Sequence, residues 1–92
     1  MQIRIECVVS GRVQMVMYRD FVTRKARKLG VVGEVHNEKD GTVSVIAEAE
    51  KDLLEQLVRA LHLGSILSHV QNVDVSYHEA TGEYTQFKIR YQ

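Results

Sequence analysis

The order in which two hydrophobic periods follow one another limits the fold of this chain more than any other feature. Apolar and polar residues alternate over residues 2–9, which is typical of a half-buried strand, and a helical period replaces this alternation over residues 19–29. Alternation returns over residues 31–37 and 42–49. The two segments flank an Asp-Gly pair, so they predict a β-hairpin.

The second half of the chain contains one more helix and two more strands. Residues 51–62 carry a broad apolar helical stripe that ends at Gly64. Residues 70–77 alternate as a fourth strand, and residues 87–91 as a short fifth one. The resulting order, β-α-β-β-α-β with an extra C-terminal strand, predicts an α+β ferredoxin-like domain with an antiparallel sheet and both helices on one face. We expect one domain over residues 1–92, because single domains run from roughly 50 to 250 residues.

Composition excludes several functions that this fold can serve. Twelve basic and twelve acidic residues give no net charge, which argues against nucleic acid as a partner. No apolar run approaches the roughly 20 residues of a membrane span, so we expect no membrane partner either. The single cysteine, Cys7, cannot form an intrachain disulfide, and a reducing cytoplasm is therefore the expected location.

The titratable side chains form no recognisable metal or nucleophile motif. Cys7 alternates with Ile5 and Val9, so it is interpreted as a core residue, and it cannot supply the thiolate pair of a soft-metal carrier. A ferredoxin-like RNA binder needs stacking aromatic residues, and residues 3–9 and 42–49 contain none. We expect solvated side chains and no metal site for the four histidines, which are His36, His62, His69 and His78.

The junction between the first strand and the first helix has the features of an anion site. A loop that leads into a helix N-terminus presents backbone N–H groups and the positive end of the helix dipole. Arg19 lies at the start of the helix, where its guanidinium can bind the same anion through two parallel hydrogen bonds. On these features alone, an ordinary strand–helix connection remains the alternative.

Three segments resemble the acylphosphatase family. The family signature G-R-V-Q-G-V, followed by an aromatic or glycine pair and Arg, is similar to Gly11-Arg12-Val13-Gln14-Met15-Val16-Met17-Tyr18-Arg19. The family patterns G-W-V-x-N and D-G-x-V resemble Gly33-Glu34-Val35-His36-Asn37 and Asp40-Gly41-Thr42-Val43. The C-terminal pattern F-x-I-R-Y is similar to Phe87-Lys88-Ile89-Arg90-Tyr91. The resemblance therefore spans nearly the whole chain.

The resemblance implies hydrolysis of the carboxyl–phosphate bond of acyl phosphates without a metal or cofactor. It implies a small-molecule substrate. We also expect a monomeric protein. Arg19 matches the arginine that binds the phosphate, and Asn37 matches the asparagine that positions the attacking water. The predicted substrate-binding residues form the loop before the helix: Gly11, Arg12, Val13, Gln14, Met15, Val16, Met17 and Tyr18. Asn37 is expected at the end of the second strand, near the loop that follows an adjacent first strand, with His36 on the opposite face and outside the site.

Met15 departs from the family pattern, because it stands where the signature has glycine. If that position requires a positive φ, a side chain costs about 1–2 kcal/mol or forces the loop to rearrange. Glycine restored there is then expected to relieve strain and to raise turnover. The departure also leaves a second function open, namely a non-catalytic module of the same fold that binds an anion or a partner.

Overall fold

The computed structural model describes residues 1–91 and contains five strands and two helices in the predicted order. The elements are β1 (Gln2–Arg12), α1 (Tyr18–Leu29), β2 (Val32–Asn37), β3 (Val43–Glu50), α2 (Lys51–Leu63), β4 (His69–Glu79) and β5 (Phe87–Ile89). The ferredoxin-like prediction is confirmed. Neither helix is long and apolar enough, within the described residues, to cross a bilayer.

The strands form one sheet in the order β4-β1-β3-β2-β5. The four strands of the ferredoxin-like unit pair antiparallel, whereas β5 pairs parallel to β2. The prediction of a fully antiparallel sheet is therefore wrong at the edge formed by β5. The expected neighbourhood of the first two strands is also wrong, because β3 lies between β1 and β2. A right-handed crossover through α1 makes β1 and β2 parallel and leaves room for β3 between them.

Both helices pack on one face of the sheet and enclose a single core. The alternating residues of β1 that include Ile5, Cys7 and Val9 are at most 1% exposed and face the helices. The stripe of α2 buries Leu54, Leu57 and Leu61, while α1 buries residues on its inner side. Burial raises the pKa of the Cys7 thiol to about 12, so the thiol stays protonated and inert. Its interpretation as a core residue is confirmed.

One buried carboxylate holds together the sheet face opposite the helices. Glu48, in β3, is 1% exposed and accepts hydrogen bonds from Arg4 Nε at 2.9 Å, Thr81 N at 2.9 Å and Gly82 N at 3.1 Å. Burial opposes its ionisation, but the backbone donors and Arg4 outweigh this effect, and the pKa of Glu48 is lowered. The loop after β4 is thereby attached to the middle of the sheet.

We expect Glu48→Ala to lower the free energy of unfolding by about 3 kcal/mol, because it leaves Arg4 Nε and two backbone N–H groups without their acceptor. For a domain of this size the loss corresponds to a fall in Tm of roughly 12–24 °C. Thermal unfolding followed by circular dichroism measures it. Glu55→Ala, at an exposed position of α2, is the matched control and is expected to change stability by under about 0.5 kcal/mol.

The same carboxylate gives the stability a pH dependence. The folded-state pKa of Glu48 lies below its unfolded value, so its contribution is present above the unfolded pKa and is lost as the pH falls through the folded one. The stability difference between the parent protein and Glu48→Ala should therefore shrink as the pH falls below about 4. A difference that stays constant down to pH 3 contradicts the proposed role of the charge.

His36 is the one histidine whose expected environment is wrong. It is 4% exposed, and its Nδ1 lies 3.2 Å from Glu38 Oε2. Residue 36 pairs with Ser44 of β3 and follows Val35, at which the pairing of β2 with β5 ends. His62, His69 and His78 are exposed, as expected.

Candidate anion-binding site

The loop between β1 and α1 presents a row of backbone donors that have no protein acceptor. Within the described part of the chain, the N–H groups of residues 14 to 19 donate no hydrogen bond to another protein group. Tyr18 and Arg19 are the first residues of α1, where helix geometry leaves N–H groups without an intrahelical partner. Six consecutive free donors at a helix N-terminus form a site that favours an anion.

The backbone conformation of the loop brings these donors together. Met15 and Met17 have φ values of 61° and 62°, and they are the only non-glycine residues at positive φ among residues 1–91. The left-handed residues therefore alternate with residues at negative φ. Such alternation turns successive N–H groups toward one concavity, the arrangement called a nest, which binds anions. Residue 15 thus needs the positive φ, and the chain keeps it despite the methionine.

We expect Met15→Gly to raise the free energy of unfolding slightly, by up to about 1 kcal/mol. Glycine relieves about 1–2 kcal/mol of left-handed strain, and up to about 1 kcal/mol of unfolded-state entropy offsets the gain. Ile66→Gly is the matched control, because Ile66 is as exposed as Met15, at 99%, but lies outside the positive-φ region. The control should lose stability. Equal losses of Tm in the two variants would show that Met15 is not strained.

The two ends of the predicted substrate-binding segment have structural roles. Gly11 and Arg12 belong to β1, which therefore runs past the predicted end at residue 9 through a shift in register between Ser10 and Gly11. A Cβ at residue 11 would overlap the carbonyl oxygen of His69, so glycine permits the close approach of β4. Tyr18 is 1% exposed, and its hydroxyl donates to Leu61 O at 2.8 Å. The free loop is thus residues 13–17.

Two side-chain hydrogen bonds fix the loop from opposite sides. Gln14 Nε2 donates to Glu38 O at 2.8 Å and to Thr42 O at 2.9 Å, which joins the loop to the turn between β2 and β3. On the other side, Ser65 Oγ donates to Val16 O at 2.9 Å and joins it to the turn between α2 and β4. Among the predicted substrate-binding residues, Gln14 therefore uses its side chain to anchor the loop to the turn between β2 and β3.

Arg19 is placed beside the loop by a contact from the C-terminal segment. Its guanidinium carbon lies 5.2 Å from the ring centroid of Tyr91, close enough for a cation–π interaction. Tyr91 lies two residues after the end of β5, so the parallel pairing of β5 with β2 brings it to the start of α1. The Arg19 side chain is partly exposed.

Asn37 carries an acceptor that the protein leaves unused. Its Oδ1 is buried and has no hydrogen-bond partner, and it is the only buried side-chain polar atom in this condition among residues 1–91. A buried acceptor without a donor lowers the free energy of unfolding by about 1–3 kcal/mol. Native proteins therefore rarely contain one unless a ligand or a water donates to it. Asn37 ends β2, directly before the turn to which Gln14 attaches the loop.

The site has no ligand set for a metal. No three His, Cys, Asp or Glu side chains form a group that could hold a metal ion in the portion of the chain that the structure describes. The positive charge at the site comes from Arg19 and the loop amides, and the polar side chain near them is the neutral amide of Asn37. This arrangement can hold a compact oxyanion and accept a hydrogen bond beside it.

The sequence did not predict four features of this geometry. The second left-handed residue, Met17, has a signal in the family pattern, which allows glycine at that position. The anchoring contacts of Gln14 and Ser65 and the placement of Tyr91 over Arg19 have no local signal. They depend on which turns meet at one end of the sheet, and the sequence alone does not specify this.

Comparison with known proteins agrees with the geometry. A family model described as Acylphosphatase matches residues 5–89. A curated acylphosphatase of Salinibacter ruber is 41% identical over 87 residues, covering 95% of this chain and 92% of the relative. One of Deinococcus radiodurans is 48% identical over 79 residues, covering 86% and 91%. The crystal structure of acylphosphatase from Bacillus subtilis is 34% identical with a TM-score of 0.94, covering 99% of this chain and 100% of that one.

Proposed function

The chain belongs to the acylphosphatase family, and from this premise we propose that it hydrolyses acyl phosphates to a carboxylate and inorganic phosphate. The observation that carries the proposal is the row of free backbone donors at residues 14 to 19. A phosphoryl group spreads its charge over three oxygens, and a nest at a helix N-terminus supplies donors to several of them at once.

The reaction needs positioning and charge stabilisation more than it needs an acid or a base. The bond between phosphorus and the bridging oxygen breaks, and its electron pair leaves with the carboxylate. The oxygen of one water forms the new bond to phosphorus, and both of its protons end on phosphate oxygens. Because carboxylic acids have pKa values near 4, the leaving group departs as an anion without a general acid.

We assign the phosphate to the loop amides and Arg19. The guanidinium offers two parallel donors in one plane, a geometry that matches a phosphoryl group and strengthens as charge develops on the equatorial oxygens. Met15 and Met17 contribute through their backbone, and their side chains point into solvent with 99% and 69% of their surface exposed.

We assign the attacking water to Asn37. Its buried and unpaired Oδ1 accepts a hydrogen bond from the water and orients the oxygen lone pair toward phosphorus. A neutral amide is no base near neutral pH, so the substrate's own phosphate oxygen takes the proton. Gln14 has a supporting role, because it fixes the loop to the turn that follows Asn37.

The non-catalytic alternative is not favoured. It depended on Met15 disrupting the loop, and Met15 instead adopts the left-handed conformation that the nest requires. The relatives that match over nearly the whole chain are acylphosphatases.

Turnover of benzoyl phosphate in the presence and absence of EDTA tests the proposal. We expect hydrolysis at the same rate in both, because Arg19 and the amides provide the field that Mg²⁺ provides at other phosphoryl-transfer sites. Phosphate-dependent thermal stabilisation without any turnover would favour the binding module. Loss of activity in EDTA that Mg²⁺ restores would contradict the assigned mechanism.

We also propose that the protein acts in the cytoplasm, as a monomer and on a small molecule alone. The buried, protonated thiol of Cys7 is suited to a reducing compartment. All the groups assigned to the site come from one chain.

A further inference from the structure

An apolar groove shares two residues, Val16 and Met17, with the candidate phosphate loop. Its volume is about 360 Å³, near the lower end of the range for small-molecule pockets. Val16, Met17 and Phe21 line one wall, and Ile66 and Leu67 line the other. Arg24 also borders the groove, but Asp20 pairs with its guanidinium at 3.1 Å.

The outer wall of the groove is an apolar turn that the fold holds rigidly in solvent. Ile66 and Leu67 are 99% and 66% exposed. Ser68 fixes the turn, because its N and Oγ both donate to Ser65 O, at 3.1 and 2.8 Å. Ser65 in turn donates to Val16 O in the phosphate loop. Exposed apolar side chains held in a fixed position beside a polar site indicate a binding surface.

The geometry of phosphoryl transfer predicts which part of the substrate lies in this groove. The attacking and leaving oxygens lie roughly in line across phosphorus. The loop separates two turns: Gln14 contacts the turn next to Asn37, and Val16 contacts the turn that bears Ile66 and Leu67. With the water held at Asn37, the leaving carboxylate lies on the opposite side, where the groove begins.

We infer that this groove binds the acyl group of the substrate and that the preferred substrates are acyl phosphates with apolar alkyl or aryl chains. The inference rests on the proposed function and goes further, because it identifies the part of the protein that recognises the acyl group. Val16 and Met17 belong to both the loop and the groove, so a bound phosphoryl group places its acyl chain directly between the two walls.

Straight-chain acyl phosphates test this inference, because acetyl, butanoyl and hexanoyl phosphate have leaving groups of nearly equal acidity. Chain length then changes binding and leaves intrinsic reactivity constant. We expect kcat/KM to rise about 10-fold or more over the four methylenes from acetyl to hexanoyl phosphate, since each methylene that leaves water adds up to about 4-fold in binding. Most of the rise should appear as a lower KM, because the chain binds equally in the ground and transition states.

The double variant Ile66→Ser/Leu67→Ser should remove most of this dependence on chain length. Leu63→Ser is the matched control: Leu63 is 77% exposed and precedes the same turn but does not line the groove. The control should keep the full dependence. Inhibition constants of methylphosphonate and hexylphosphonate, measured on the same three proteins, report binding without turnover.

The outcomes separate this inference from the proposed function. Hydrolysis of acetyl phosphate with a flat dependence on chain length overturns the acyl groove and leaves the function intact. Absence of any hydrolysis overturns the function, whereas tighter binding of hexylphosphonate that the double variant loses still supports the groove. A flat dependence together with a dimer that the double variant dissociates would assign the surface to a second copy of the chain, and would overturn the inference.

Discussion

Asn37→Ala is expected to lower kcat for benzoyl phosphate by about 10³-fold and to leave the affinity for inorganic phosphate almost unchanged. The side chain acts on the water and not on the phosphate. Its removal should therefore slow the attack of water on phosphorus and leave phosphate binding unchanged. Steady-state kinetics give kcat, and calorimetric titration with phosphate gives Kd.

The stability of the same variant distinguishes a catalytic role from a structural one. Asn37 Oδ1 is a buried acceptor without a partner, so its removal should leave Tm unchanged or raise it. Asn72→Ala is the matched control, because Asn72 is exposed on β4 and its Nδ2 donates to Asp74 Oδ1 at 3.0 Å, far from the loop in sequence, and it should retain full activity. A loss of phosphate affinity with a retained rate in Asn37→Ala would reverse the assigned roles.

Arg19→Lys is expected to lower kcat/KM by about 10²-fold, and Arg19→Ala by about 10³-fold. Lysine keeps the positive charge but has a single ammonium in place of the planar pair of donors, so part of the stabilisation of the phosphoryl oxygens is lost. Unlike Asn37→Ala, both variants should also bind inorganic phosphate more weakly. The contrast between the two residues is the sharpest test of the site.

Arg59→Lys, at an exposed position of α2, controls for the general effect of replacing a surface arginine and should change neither constant. If Arg19→Lys kept the parent kcat/KM, a point charge would suffice at this position and two-point binding of the phosphate by Arg19 would be wrong. The contact with Tyr91 adds a second expectation: phosphate binding should depend on the ring that holds the guanidinium at 5.2 Å.

Periodicity in the sequence was sufficient to predict the elements and their order, because each strand or helix buries one face and repeats accordingly. It could not predict that β5 lies parallel to β2, since three residues alternate in the same way whichever direction the strand runs. It also could not predict the burial of Glu48, because a lone glutamate in an alternating strand reads as a solvated residue. The backbone N–H groups that donate to the Glu48 carboxylate belong to the loop after β4, which is distant in sequence.

The site was predictable where its function depends on local backbone geometry and not where it depends on long-range contacts. The loop before α1 and Arg19 follow from the general behaviour of helix N-termini, and the family pattern adds Asn37. Met15 lies at a positive φ, which is the first of the two alternatives considered for that position. The groove of Ile66 and Leu67 was not predicted, because two apolar residues after a helix look like its frayed end.

The strand order has a consequence for how fast the chain can fold. β1 is made first and lies in the interior of the sheet, yet both of its partners come much later: Ile3 pairs with Ala49 and with Glu79. Neither edge of β1 can pair with a strand that is adjacent in sequence. Long segments of the chain must therefore close into loops before the backbone N–H and C=O groups of β1 find hydrogen-bond partners. Chains dominated by such distant pairings fold at the slow end of the range for small domains. Until α2 and β4 have arrived, an apolar strand with two open edges is available for pairing with other chains.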